Sequence, residues 1–293
     1  MAPVLRHDTA CAKELAVNYT RCASVLIANP NVEHRTADYD LDPETLQGLW
    51  RMEERHFWFD VRNRWIERAL AYYGSRPAGR FLDVGCGSGW VAGALRRCGY
   101  SVVGVDTATV LVEKAHQRFP EVDFVAGRID QLPPGLGPFD AVGFFDVLEH
   151  LDDPLSLMRS ALERAAPGAL VVATVPALRS MFSVVDELAG HKRRYDPGDL
   201  KATFIQAGLG EVAEHGIFRV LVPLLRARRG AGVAPSDPTE RRRIMLDDLR
   251  IPPFPLNGLL RLLCGLEARL GFSRSRDKAG ATLLAVGRKP RVA

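Results

Sequence analysis

The chain has 293 residues, of which 47% are hydrophobic and 25% charged, with a formal net charge of +4. That is an ordinary globular composition; it excludes a disordered or collagen-like chain, and no uninterrupted apolar run approaches the roughly 20 residues of a membrane span. The charge excess is too small for a basic nucleic-acid platform, and the five cysteines make no CxxC pair and no metal-ligand spacing, so neither nucleic acid nor metal is expected as a partner.

The first 21 residues mix charges among apolar residues, unlike a signal peptide, and a cytoplasmic protein with reduced thiols is expected. Residues 1 to about 40 show no sustained period and are expected to form a weakly packed arm. Asp42-Pro43-Glu44 then opens a helix with an N-cap, a first-turn proline and an early acid. A second helix is expected from Asp60, with Trp65, Ala69 and Tyr73 on one face.

From residue 80 the pattern alternates. "RFLDV", "SVVGVD", "VDFVAG", "FDAVGFFDVL" and "ALVVATVP" are apolar strands separated by helical stretches. Asp153 and Pro154 start one such helix, and Gly168 is expected just beyond its end. Alternation of this kind predicts a parallel sheet covered on both faces. A helix after Asp196-Pro197, a sixth strand "GEVAEHGIF" and a seventh strand "ATLLAVGRK" complete the series. About sixty residues separate strands six and seven, too many for a plain loop. They hold a polar stretch, "RARRGAGVAPSDPTERRR", and a helix with a leucine stripe at 256, 259, 260, 263, 266 and 270. The stripe is expected to pack on the core or a partner subunit, or to form a surface for an apolar acceptor or a membrane interface.

The turn "DVGCGSG" after the first strand of this series spaces its glycines as G-x-G-x-G, not as the dinucleotide pattern G-x-G-x-x-G, and residue 90 is Trp. Asp83 precedes the turn; a carboxylate there disfavours a pyrophosphate and suits a ligand carrying cationic groups. Asp106 ends the next strand, about 20 residues on, where an acid suits the two hydroxyls of a ribose.

In order along the chain, "FLDVGCGSG", "VVGVD", "FDAVGFFDVLEHLDDP" and "ERAAPGALVVATVP" resemble the class I S-adenosylmethionine-dependent methyltransferases, over roughly residues 50 to 220 and the last strand. "HFWF" and "ELAGHKRRYDPGDL" resemble a bacterial small-molecule branch. The resemblance implies an α/β Rossmann-like fold: a seven-stranded, mostly parallel sheet with an antiparallel last strand, N-terminal helices and a helical insertion. The expected divisions are an arm and cap helices over 1–78, a cofactor-binding core over 79–218, an insertion over 219–279, and the last strand and tail over 280–293.

It also implies S-adenosylmethionine as cofactor. Gly85, Cys86, Gly87 and Gly89 are then expected around its methionine part, with Asp83 near the ammonium and Asp106 and Thr107 at the ribose. After the third strand the family usually carries an acid; here Arg128 stands at that position, so the adenine contact is expected from Ile129 and Asp130. Phe145, Asp146 and Val147 are expected to close the pocket. Arg62 either reaches the cofactor carboxylate or is a surface arginine.

Acceptor chemistry is expected after the fifth strand of this series. His191 is a candidate base or acceptor ligand, or else a histidine that fixes its loop; Tyr195 either orients the acceptor or packs. His150 is a further candidate for proton transfer or for support of the cofactor loop. Arg193 and Arg194 are candidates for an anionic acceptor group or a solvated charge run, and His56 and Trp58 for an aromatic lid or ordinary packing. The expected reaction is methyl transfer to a small molecule, with oxygen favoured over carbon or nitrogen. The alternatives are a nucleic-acid or protein methyltransferase, or a cofactor-binding subunit without turnover. The Asn/Asp-Pro-Pro-Tyr/Phe motif of nucleic-acid amino methyltransferases is absent, since the chain reads "FFDVLEH" there.

Overall fold

The computed structural model describes residues 19–22, 25–28, 43–75, 78–133, 135–228, 235–248, 250–272 and 279–291. Most of the expected N-terminal arm, Asp42 and part of the polar connection after strand six lie outside these residues.

Within them a single mixed sheet runs through the molecule. Its central strands are β3 (Arg80–Val84), β4 (Ser101–Asp106), β5 (Asp123–Ala126), β6 (Phe139–Phe145) and β7 (Ala165–Pro176), all parallel; β8 (Gly210–Ile217) and β9 (Thr282–Arg288) complete the expected seven. β9 lies between β7 and β8 and runs antiparallel to both. The arm adds two more strands, β1 (Tyr19–Cys22) and β2 (Val25–Ala28), paired antiparallel, with β2 lying parallel against β5. Four residues per strand are too few to display a period, which is why the sequence pattern missed them; they cover the backbone edge of β5. The full order is β1-β2-β5-β4-β3-β6-β7-β9-β8.

The order reverses at β3, whose neighbours are β4 on one side and β6 on the other. In open α/β sheets that crevice, beyond the carboxyl ends of the strands, is where ligands sit.

Two apolar layers sandwich the sheet. On one face pack α2 (Phe57–Tyr72), α3 (Trp90–Arg97) and α4 (Thr109–Arg118), α2 burying Val61, Trp65 and Ala69 completely, and α1 (Pro43–Arg55) lies against α2. On the other pack α5 (Pro154–Glu163) and α7 (Asp199–Gln206), with Met158, Ala161, Leu200 and Phe204 fully enclosed. Asp153 caps α5 by accepting the Ser156 N–H at 3.1 Å, and Pro154 fills the first turn, as the sequence requires. The helix stops at Glu163, before the expected Gly168, because β7 begins pairing with β6 at Ala165.

The insertion forms α8 (Val222–Arg228), α9 (Pro238–Asp248) and α10 (Leu256–Leu270). α10 packs on α2, and its buried residues are Leu260, Cys264, Gly265, Glu267 and Ala268. The expected leucine stripe is therefore not the packed face: Leu256, Leu259, Leu263, Leu266 and Leu270 are all exposed, and only Leu260 of that set is buried. Small residues at 264, 265 and 268 let α10 approach α2 closely, which turns the leucines outward. Asn257 locks the contact at the joint between α1 and α2. Its Oδ1 accepts the Phe57 N–H at 3.0 Å, and its Nδ2 donates to the Arg55 carbonyl at 2.8 Å. One side chain thus satisfies an end of each helix. Among the described residues no helix is long and apolar enough to cross a membrane.

This orientation of α10 is testable by paired substitutions. Leu260→Ala is expected to destabilise the fold by about 2–5 kcal/mol in urea denaturation. Leu259→Ala, on the outward face, is expected to stay within about 0.5 kcal/mol of the parent. The reverse result would restore the leucine stripe as the packed face.

Candidate functional site

The three glycines after β3 all take positive φ, 71° at Gly85, 50° at Gly87 and 74° at Gly89, but for different reasons. A Cβ on Gly85 would fall 2.4 Å from a methyl of Val147, and one on Gly89 would fall 2.8 Å from the Phe124 ring. Those two are bare because protein packs on them. A Cβ on Gly87 would meet nothing within 4 Å. Its backbone faces open space at the carboxyl end of β3, where a ligand can lie on the peptide plane.

Asp106, at the end of β4, straps this turn. Its Oδ2 accepts the Gly87 N–H at 2.8 Å and its Oδ1 the Ala108 N–H at 2.9 Å. Burial pushes its carboxyl above the usual range, and the amides of Ala108, Gly87 and Thr107 work against that rise. A carboxylate offers about four acceptor positions, so lone pairs remain for a ribose. Cys86 is buried with its thiol raised well above the ordinary value by burial and by Asp106 and Asp83, so it contributes backbone and not a nucleophile.

Asp83 is 1% exposed, and its Oδ2 has no hydrogen-bond partner. Burial raises its pKa to about 7; nearby Arg62 opposes the rise and Asp106 adds to it. An enclosed carboxylate oxygen left bare is costly unless a cation or a donor meets it. The cationic end of the implied cofactor fits that need.

Arg62 is buried, not a surface arginine. It pairs with Asp146 Oδ2 across a short contact, while Asp146 Oδ1 accepts the Thr174 hydroxyl at 3.0 Å. The same guanidinium acts electrostatically on Asp83, Glu149 and Glu53. Its Nε is buried without a partner. Val147 packs against Gly85, whereas the Phe145 ring turns beneath the sheet edge, stacked on Phe81 at 6.4 Å in the space that Gly143 leaves. The Phe145 ring is therefore part of the core and does not close the pocket. Ile129 is buried, and Asp130 is exposed and paired with Arg128 at 3.1 Å, so the Asp130 carboxylate already has a cation partner.

A second group of side chains gathers where β6 and β7 end. Glu149 and His150 lie in a 3-10 turn over Leu148–His150, and His191 follows α6 (Val184–Leu188). One ligating atom from each of Glu149, His150 and His191 lies within 4.8 Å of the others. The two imidazoles meet edge to face, with centroids 4.7 Å apart. Burial, and then His191, hold His150 down to about 4, so it is neutral. Glu149 is 1% exposed, pushed well above the carboxylate range by burial and by Asp146, and its Oε2 has no partner. Behind His191, Asp186 Oδ1 lies 3.1 Å from Nδ1. Asp186 is itself held by the Ser183 N–H and hydroxyl and by Arg194 at 2.7 Å.

Several expected acceptor contacts are structural instead. Arg194 is buried and spends its guanidinium on Asp186 and the Ala177 carbonyl. Arg193 donates to the carbonyls of Leu151 and Asp152. Tyr195 is buried, its hydroxyl donates to the Leu148 carbonyl at 3.3 Å, and burial raises its pKa to about 12. All three hold the histidine turn in place from behind. His56 caps α2 by accepting the Trp58 N–H at 3.1 Å, and Trp58 stacks on Phe218 at 4.2 Å. What covers the glycine turn is α1: Glu53 accepts the Ser88 hydroxyl and pairs with Arg118 at 2.7 Å, and Arg118 lies over Trp90. Glu53, Asp186 and Glu149 were not anticipated; the only local signal was an acid next to His150 at a strand end. A cavity of about 890 Å³ lined by Gly74, Gly168, Gly210 and Arg288 opens at the opposite ends of the strands, away from all these groups.

Comparison with known proteins identifies the family. A family model described as a methyltransferase domain matches residues 49–214. A protein of Mycolicibacterium smegmatis named a "probable S-adenosylmethionine-dependent methyltransferase" is 31% identical over 197 residues, 66% of this chain and 70% of its own length. A ubiquinone biosynthesis O-methyltransferase of Xanthomonas campestris is 36% identical over 97 residues, 31% of this chain; the match spans only 41% of that relative. Among solved structures, the plantazolicin methyltransferase BamL, in complex with a triazolic desmethyl analogue and S-adenosylhomocysteine, aligns with TM-score 0.53 and 15% identity over 85% of this chain and 92% of its own. A methyltransferase of Thermotoga maritima aligns with TM-score 0.50 and 18% identity, over 84% and 99%. At those identities the solved structures establish the fold alone.

Two outcomes test the cofactor end of the site. Gly87→Ala is expected to fold, at a cost of about 1 kcal/mol for its positive φ, and to lose S-adenosylmethionine binding in calorimetry; Gly89→Ala is expected to lose stability first, because its Cβ strikes Phe124. For Asp83 the ligand-free pKa near 7 lies above its ordinary value of 3.8, so the folded chain holds the extra proton between those values. The contribution of Asp83 to ligand-free stability thus falls as pH rises through that window. S-adenosylmethionine affinity is expected to weaken about tenfold per pH unit below 7 and to level off above it. In Asp83→Asn that slope is expected to vanish; a wild-type affinity flat from pH 5 to 8 would separate Asp83 from the cationic end of the ligand.

Proposed function

The chain belongs to the class I S-adenosylmethionine-dependent methyltransferases, and on that premise we propose that it methylates a hydroxyl of a small-molecule acceptor held against the His150–His191 turn. The observation that carries the reading is the location at one sheet edge of two unlike groups. One is the open face of Gly87, between the bare oxygen of Asp83 and the strap of Asp106. The other is a pair of histidines backed by Asp186.

S-adenosylmethionine supplies a methyl group already activated by its sulfonium, so the protein's task is positioning, with proton removal where the acceptor needs it. Asp83 would hold the ammonium and Asp106 the ribose, with the Ile129 backbone and Asp130 at the adenine. Arg62 pairs with Asp146 beside them and ties the cap helix to the sheet edge. His191 would take the hydroxyl proton at Nε2 while Asp186 accepts Nδ1–H, which fixes the ring orientation. Arg193, Arg194 and Tyr195 position that ring without touching the acceptor.

Oxygen as the acceptor atom draws support from the Xanthomonas relative, an O-methyltransferase by name. An apolar acceptor, or a lipid surface that delivers one, draws support from the outward leucines of α10 and from Phe254, which is 96% exposed.

The test is methyl transfer from isotopically labelled S-adenosylmethionine to a panel of small phenols and apolar alcohols, beside transfer RNA and total protein as competing acceptors. Label confined to the macromolecular fraction would overturn the small-molecule reading. With a small acceptor in hand, His191→Ala is expected to lower kcat by at least about 10²-fold with cofactor affinity unchanged, and His191→Gln to restore little of it.

A further inference from the structure

We propose that Glu149, His150 and His191 form a binding site for a divalent transition-metal cation, next to the cofactor crevice. Three observations converge on it. First, the donor set is two imidazoles and one carboxylate, with one donor atom from each within 4.8 Å of the others. Metal–ligand bonds of about 2.0–2.2 Å bring such atoms about 3.4 Å apart, so closing on an ion takes side-chain shifts of under about 1 Å. Second, Glu149 Oε2 is enclosed and has no protein partner. Third, His191 has a carboxylate behind it: Asp186 Oδ1 lies 3.1 Å from Nδ1, so Nε2 is the nitrogen left to serve as ligand. A carboxylate–histidine pair of that form is the usual outer support of a metal ligand. Arg194 and Ser183 in turn fix Asp186.

The chemistry of the donors selects the ion. Two imidazoles and a carboxylate suit Zn²⁺, Fe²⁺ or Mn²⁺ better than Ca²⁺ or Mg²⁺, which prefer all-oxygen sets. Three protein ligands leave coordination positions open. His150 and His191 are half-buried, which gives an ion a path from solvent to the buried Glu149. The cation site stands on these side chains alone; its use in catalysis rests on the reading above. There, a cation beside the acceptor hydroxyl would raise its acidity. The hydroxyl proton then passes to water, and the new C–O bond forms as the C–S bond of the sulfonium breaks, releasing S-adenosylhomocysteine. With the ion bound, the His191 Nε2 lone pair is spent on the metal and water takes the proton; in the ion-free chain that lone pair is the base of the reading above.

The test measures metal directly. The full chain is dialysed against chelator and then against micromolar Zn²⁺ or Mn²⁺, and bound metal is measured by mass spectrometry beside S-adenosylmethionine binding by calorimetry. The wild type is expected to hold one equivalent of Mn²⁺ that Glu149→Gln and His191→Ala both lose, and Asp186→Asn to bind it at least tenfold more weakly. Cofactor binding is expected to stay intact in His191→Ala, which lies on a partly exposed loop and keeps the test open if Glu149→Gln misfolds. Metal content equal in wild type and His191→Ala, or no bound ion in the wild type, overturns the site. Either result leaves the methyltransferase reading standing, because that reading is scored by cofactor binding and methyl transfer.

Discussion

One buried guanidinium organises this molecule. Arg62 reaches from α2 into a region where four acids converge from separate elements: Glu53 from α1, Asp83 from β3, Asp146 from the end of β6 and Glu149 from the turn beyond it. Removing one partner of a buried pair strands the other charge, at a cost of about 3–5 kcal/mol. The cap helices are therefore tied to the sheet edge by an interaction that is expensive to break, and the pocket lies under that tie. Arg118 takes Glu53, and Arg62 alone cannot satisfy the three acids that remain. The surplus is visible as bare oxygens on Asp83 and Glu149, and these are the two places where positive groups are expected to bind.

The carboxyl edge of the sheet is thereby divided. Around β3 and β4 the open surface is backbone: Gly87 faces open space, and Asp106 spends its oxygens on amides. Around β6 and β7 side chains gather instead, on a turn braced from behind by Tyr195, Arg193 and the Asp186–Arg194 pair. A scaffold that keeps the first half constant can change the second half freely. Relatives with different acceptors can then share the same first-strand turn.

What was legible in the sequence follows that division. The glycine turn, Asp106 and the alternation of strands are local patterns whose chemistry is fully contained in a few consecutive residues. Residues whose roles depend on distant partners were not legible. "HKRRY" looks like a charged surface loop, yet Arg194 is internal because Asp186, eight residues earlier, is internal too. Glu149 looks unremarkable until burial strips it of water. The leucine stripe of α10 failed for a different reason: counting large apolar residues ignores that Cys264, Gly265 and Ala268 allow the closer approach of two helices. The strands at 19–22 and 25–28 were too short for any periodicity to register.

The position of β9 constrains how the chain is built during translation. β8 pairs with β9 alone among the described strands, and β9 also completes the outer side of β7. β9 begins at Thr282, more than a hundred residues after β7 starts, so both strands wait for β9 to leave the ribosome. Asn257, which ties Arg55 to Phe57, arrives late as well. A nascent chain thus exposes one apolar strand edge and an unlocked cap until β9 and Asn257 have emerged, the interval in which such chains are most prone to aggregate. Assembly of the crevice is thus coupled to the synthesis of elements that lie far along the chain from the glycine turn.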